Sequence, residues 1–266
     1  MVSFDYKTAV TTLHELRKSG ERKSDLVVFL GEKLINRGYT GKLGDEENLN
    51  KRFPGSPRVK ILEGMKLEAD DKLDAALALY EEILQEDEAN IAASKRRIAV
   101  YKAKGQDGQA IDALTRHLDT VYNDAEAWLE LSALYLNYHL YQQAGFCLEE
   151  LILLQPQNHF YHLKYAEVLF TSENIPVALK QFCRVLELCE DNIRALCGIK
   201  LCTSRLLNLS NISSASTSNS LHDMKTISDL NALAVERLSA MYSKNQHGRK
   251  TAIEIKNVVI DWLSQS

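Results

Sequence analysis

The apolar positions of the chain fall into columns that recur every 34 residues between about residue 58 and residue 190. Ala76, Ala110, Ala144 and Ala178 form a small column. Four residues further on come Tyr80, Leu114, Leu148 and Phe182, one helical turn along the same face. Earlier in each unit Gly64, Ile98, Ser132 and Ala166 stand three residues before Leu67, Tyr101, Tyr135 and Leu169. Two stripes per unit predict two helices, and the polar breaks between them predict tight turns: Asp70-Asp71, Lys104 to Asp107, Tyr138-His139 and Glu173-Asn174.

Antiparallel helices approach closely only where one presents a small side chain, so the alanine column marks where backbones meet and the large column fills the adjoining hole. A single hairpin of this size leaves apolar faces uncovered, so neighbouring hairpins stack and share a core. The expected fold is all-α, a superhelical solenoid of antiparallel helix pairs with repeats at 58–90, 91–123, 124–157 and 158–190. Residues 1–57 are expected to hold capping helices at 4–18 and 25–37, then an incomplete repeat near 45–53 that closes in the turn-rich run Phe53 to Pro57. Residues 191–266 are expected to continue with a helix from Asn192 to Leu207, a Ser-rich loop at 210–220, and helices near 221–243 and 251–263.

The unit from Asp124 to Gln157 carries Trp128, Leu131, Ser132, Tyr135, Ala144, Leu148 and Pro156 in the order and at the spacing of the tetratricopeptide repeat, and residues 58–190 resemble that family. Lys60, Ser94 and His162 stand where the family prefers Trp. Ala76, Ala110, Ala144, Ala178, Trp128 and Tyr135 are then the residues that pack the repeats. The resemblance implies a concave face built from the second, fifth, ninth and twelfth positions of each first helix. These are Ala92, Lys95, Ala99 and Lys102, then Glu126, Leu129, Ala133 and Leu136, then Phe160, Leu163, Glu167 and Phe170. Lys95, Lys102, Leu129, Ala133, Leu136, Phe160, Leu163 and Phe170 are the candidate partner-binding residues, a strip that turns apolar toward its C-terminal half and suits an extended or helical protein segment. The alternative for the same positions is packing within the superhelix. The family's carboxylate clamp for chaperone tails needs Lys at the fifth and Asn at the ninth position, and Lys95 with Ala99 does not supply it.

Composition narrows the function. The net charge is −4 with both signs interspersed, so neither nucleic acid nor an anionic membrane is an expected partner. Lys95, Arg96 and Arg97 beside the acids of 81–88 read as one solvated face. No apolar run approaches the roughly 20 residues of a spanning helix, and the first residues have no secretory pattern. Cys147, Cys183, Cys189, Cys197 and Cys202 lie in apolar helical patterns without metal spacing and are expected to be reduced core thiols. His159 and His162 find no third metal ligand in sequence, and Glu149 with Glu150 read as a solvated pair. No catalytic residue, cofactor site, metal site or small-molecule substrate is expected.

A second resemblance is more specific. Phe53 to Lys60, Ala76 to Asp87, Ala144 to Leu151, Tyr165 to Val168, Leu43 to Asp45 and Ile193 to Gly198 are similar to phrases of the family of subunit 2 of the endoplasmic reticulum membrane protein complex. That resemblance implies a non-catalytic, peripheral scaffold on the cytoplasmic face of the endoplasmic reticulum. It would bind the membrane-embedded and cytosolic subunits of a complex that inserts tail-anchored and multi-pass proteins. A free-standing soluble repeat adaptor for a peptide segment of another assembly is the alternative. The family carries a complete hairpin between Asp45 and Phe53, where this chain has only Glu46 to Arg52. Ile61, Leu62 and Met65 of the first stacked helix must then find other cover or stay exposed.

Overall fold

A computed structural model describes Thr11, Phe53 and residues 55–212, 218–244 and 257–263. Every regular element among the described residues is α-helix, and the chain divides into two compact units, Met1–Tyr122 and Asn123–Ser266. The first unit contains α1 (Pro57–Ala69), α2 (Leu73–Glu86), α3 (Ile91–Ala103) and α4 (Asp107–Thr120). The second contains α5 (Ala125–Asn137), α6 (Tyr141–Leu154), α7 (His159–Thr171), α8 (Ile175–Leu188), α9 (Ile193–Ile212) and α10 (Ser218–Lys244), with residues 257–263 again helical.

Each tight hairpin closes in the same way. Asp71, Gly105, His139 and Glu173, again 34 apart, adopt left-handed φ values of 61°, 67°, 58° and 65°. The next residue donates its N–H back to the carbonyl of Leu67, Tyr101, Tyr135 or Leu169 at 2.8–2.9 Å, and the left-handed residue bonds to Glu68, Lys102, Leu136 or Phe170 at 3.0–3.2 Å. This pair of bonds is a Schellman cap, which satisfies carbonyls that the helix end leaves open and turns the chain. Only Gly105 occupies its left-handed position without a Cβ penalty.

The following helix starts are periodic too. Asn90, Asp124, Asn158 and Asn192 cap α3, α5, α7 and α9, each with a side-chain oxygen 3.0–3.2 Å from a backbone N–H of the first turn. Ser56 precedes α1 at the same register with Pro57 as the first helical residue.

Packing inside the hairpins follows the columns. Ala76, Ala110, Ala144 and Ala178 are fully buried, and so nearly are Tyr80, Leu114, Leu148 and Phe182. The helices approach closely at Gly64, where a Cβ would lie 2.5 Å from the Tyr80 ring. The Tyr80 hydroxyl escapes its apolar surroundings by donating to Glu68 at 2.5 Å. Ile61, Leu62 and Met65 are buried in one cluster with Ala76, Tyr80, Ile83 and Val100, and half-buried Phe53 packs against them.

Two expectations change. The serine-rich stretch is helical at both ends: α9 runs through Ile212 and α10 begins at Ser218. With no Gly or Pro between Asn208 and Ser220, composition alone did not stop the helices. Of the five cysteines Cys147 and Cys202 are buried; Cys183 and Cys197 lie half-buried within helices, and half-buried Cys189 is the extended residue that ends α8. The expected helices at 4–18 and 25–37 and the residues at 45–52 lie outside the described residues, apart from helical Thr11. At the C-terminal end Leu196, Leu238 and Leu263 share a cluster, so residues 257–263 pack onto α9 and α10.

Candidate partner-binding surface

The predicted inner stripe divides by unit. On α3, Ala92, Lys95, Ala99 and Lys102 are all exposed. On α5, Glu126 and Ala133 are exposed while Leu129 and Leu136 are half-buried. On α7, Phe160 is exposed, Glu167 and Phe170 are half-buried, and Leu163 is only 4% exposed, so it belongs to the packing of the unit. The α9 helix closes over this part of α7: Arg194 pairs with Glu167 at 2.6 Å, and Arg205 stands 5.7 Å over the Phe170 ring and 3.6 Å from Glu173. Among the packing residues the four alanines and Trp128 are buried and Tyr135 is half-buried.

The column in which the repeat prefers Trp has four different occupants. Trp128 is buried and meets Phe146 edge to face, with ring centroids 6.1 Å apart. At the same register of α1, Lys60 reaches Glu82 at 2.8 Å and Glu86 at 3.0 Å, bonds that raise its pKa above the ordinary lysine value. On α7, buried His162 places Nδ1 2.9 Å from the Gln181 side chain and Nε2 3.0 Å from the Pro156 carbonyl; a carbonyl only accepts, so Nε2–H donates there. On α3 the occupant is Ser94, and its small side chain leaves a cleft of about 310 Å³ between α2, α3 and α4.

Arg97, Tyr101 and Arg116 line this cleft and a smaller adjoining one. The Tyr101 hydroxyl donates to Glu81 at 3.0 Å; burial first, then that bond, raises its pKa, while Arg97 and Arg116 nearby act in the opposite sense. Two buried side-chain polar atoms among the described residues lack a partner, Arg97 Nε and Gln106 Oε1. The run Lys95 to Arg97 is therefore not one solvated face. Lys95 is exposed, Arg96 is half-buried and lies 3.6 Å from Glu68, and Arg97 turns its Nε into the protein, since successive helical residues point in different directions. Of the acids, Glu149 is exposed but accepts the Tyr165 hydroxyl. The signal for the cleft was present in sequence as the one small residue, Ser94, in a column otherwise filled by long or aromatic side chains.

Antiparallel helix pairs at a fixed 34-residue period, closed by identical caps and packed through an alanine column, define a tetratricopeptide-type helical repeat protein. The fold is shared with a repeat-containing protein of Cytophaga hutchinsonii (TM-score 0.64, 13% identity, 94% of this chain and 93% of that one). It is shared also with YrrB (TM-score 0.53, 15% identity, 80% and 98%). Residues 54–184 match the profile of the EMC2 TPR-like repeat domain. ER membrane protein complex subunit 2 of Xenopus tropicalis is 41% identical over 211 residues, 69% of this chain and 71% of that protein. The TPR repeat protein oca3 of Schizosaccharomyces pombe is 32% identical over 219 residues, 77% of each chain. The chain belongs to the family of ER membrane protein complex subunit 2.

Proposed function

We propose that the chain is a non-catalytic scaffold subunit of the ER membrane protein complex, held at the cytoplasmic face of the membrane and supporting insertion of tail-anchored and multi-pass proteins. The observation that carries this reading is the 41% identity to a named subunit over 71% of its length. No helix among the described residues is long and apolar enough to cross a membrane, which fits attachment through other subunits. The strip of half-buried Leu129, Leu136 and Phe170, with exposed Ala133 and Phe160, suits an apolar segment of such a subunit. Leu163 is buried and contributes no surface to that strip, and Lys95 and Lys102 form a separate basic stripe on α3.

Affinity purification of the tagged chain from detergent-solubilised membranes tests the assembly. Membrane-embedded subunits of the complex are expected to co-purify, and alkaline carbonate is expected to release the chain from membranes. Recovery of soluble partners alone would overturn the reading in favour of a free-standing adaptor. Sidedness is tested on sealed microsomes, where added protease is expected to digest the chain without detergent; protection would refute the cytoplasmic placement.

A further inference from the structure

The cleft beside Ser94 has features that the packing of the repeats does not use. It is open to solvent and measures about 310 Å³, and Ser94 lines it at the register where α5 carries the aromatic Trp128. Arg97 and Arg116 enter it from α3 and α4, and neither guanidinium makes a hydrogen bond or ion pair among the described residues. One nitrogen, Arg97 Nε, is buried with no acceptor among the described residues. A buried donor without an acceptor costs free energy in the isolated chain and regains it when an acceptor arrives.

We propose that this cleft is a docking site for a carboxylate side chain of a partner protein with an apolar neighbour in sequence. Arg97 and Arg116 take the carboxylate, and Leu84, Ile91 and Val121 receive the apolar residue. Charge-assisted bonds from a guanidinium to a carboxylate are the short, strong class, and the planar fork fits a carboxylate well. The sign and size of the anion are limited by the rim, where Glu81 and Glu88 stand on the α2 side. Their two negative charges offset the two arginines, so the cleft has no net positive charge with which to gather a dianion or an anionic lipid surface, and a single carboxylate held by directed guanidinium bonds suits it better. The apolar wall beside the arginines disfavours a free small anion. What remains is an acidic residue delivered by a protein chain. The site is distinct from the first-helix stripe, since Arg97 stands at a different register from Lys95 and Lys102 and two of its three walls are second helices.

The proposal is independent of membership in any complex, because the purified full chain suffices to test it. Fluorescein-labelled peptides carrying Leu-Glu-Leu, Phe-Glu-Leu or Ala-Glu-Leu between Gly-Ser flanks are titrated and followed by anisotropy, with Gln in place of Glu as reference. Saturable binding of at least one Glu peptide is expected, weakening about tenfold for its Gln counterpart and in Arg97→Gln, the effect of losing one charge-assisted bond. Ser94→Trp, which refills the column, is expected to abolish binding while circular dichroism and thermal unfolding show a folded chain. Arg97→Gln keeps the test valid if the Trp variant misfolds, because among the described residues its guanidinium makes no hydrogen bond or ion pair. Binding that ignores Arg97→Gln, equal binding of Glu and Gln peptides, or no binding by any peptide at millimolar concentration overturns the proposal. Displacement by inorganic phosphate at lower concentration than by acetate overturns the carboxylate assignment.

Discussion

The α3–α4 and α5–α6 hairpins share their backbone and differ in one seam. Both begin at a side-chain cap, Asn90 or Asp124, and both close by a 2.9 Å bond to a tyrosine carbonyl, of Tyr101 or Tyr135. Both bury an alanine completely where the helices meet, Ala110 or Ala144. In the second, Trp128 and Phe146 close the seam edge to face. In the first the same two registers hold Ser94 and Asp112, and a cleft lined by two arginines that are unpaired among the described residues opens there. A repeat therefore needs few columns to set its backbone. The columns that remain differentiate its surface, and losing one aromatic pair turns a packed joint into a cavity.

The largest effect that separates the hairpins is expected from Trp128→Ala, which removes a buried aromatic from its seam and should cost about 3–5 kcal/mol in urea unfolding. Ser94→Ala, at the same register, should cost no more than about 0.5 kcal/mol. Comparable losses would show that the first seam is as tightly packed as the second. Where the two hairpins agree, their responses should agree: Ala110→Leu and Ala144→Leu should each overpack the contact at a cost of roughly 1–3 kcal/mol. An unchanged melting curve for either one would remove its alanine from the close helix contact.

The caps give a smaller effect of opposite sign in the two hairpins. Gly105→Ala places a Cβ at a left-handed position and should destabilise by about 1 kcal/mol, whereas His139→Gly relieves the same strain and should be neutral or stabilising by a few tenths of a kcal/mol. A loss on His139→Gly would mean that the side chain, 3.2 Å from the Tyr141 hydroxyl, contributes more than the strain costs. The smallest effect near neutral pH comes from Cys147, for which α4 has Ala113 at the same register. Burial pushes the Cys147 thiol up from 9.0 to about 12, so between those values the folded state keeps a proton that the unfolded state releases. Stability should fall as pH rises through that window and be fully present below it. Cys147→Ala should flatten the alkaline slope of the denaturation midpoint; an unchanged slope would refute the burial.

Much of the hairpin architecture is legible in the chain itself. The alanine column and its large partner appear in sequence because the same steric demand recurs every 34 residues, and a recurring demand leaves a recurring residue type. The cap column of Ser56, Asn90, Asp124, Asn158 and Asn192 is just as periodic, but it is polar and escapes a search made on apolar stripes. The serine-rich stretch misled because composition describes what a segment prefers alone, and the helices on either side extend into it at Ile212 and Ser218.

The candidate surface is where sequence reached least far. Position in the repeat put Leu163 and Phe170 on one face, yet Leu163 is buried and Phe170 lies under Arg205, because α9 closes over α7. The run Lys95 to Arg97 names three cations, and only the tertiary surroundings separate them: Lys95 lies exposed on α3, Arg96 lies near Glu68, and Arg97 lines the cleft beside Ser94. Sequence by itself determined the period, the hairpins and the family, since these follow from local geometry and short-range packing that each repeat restates. The tertiary structure alone decided which side chains are covered, paired or left without an acceptor, because burial and pairing depend on what the neighbouring helix brings to the same point in space.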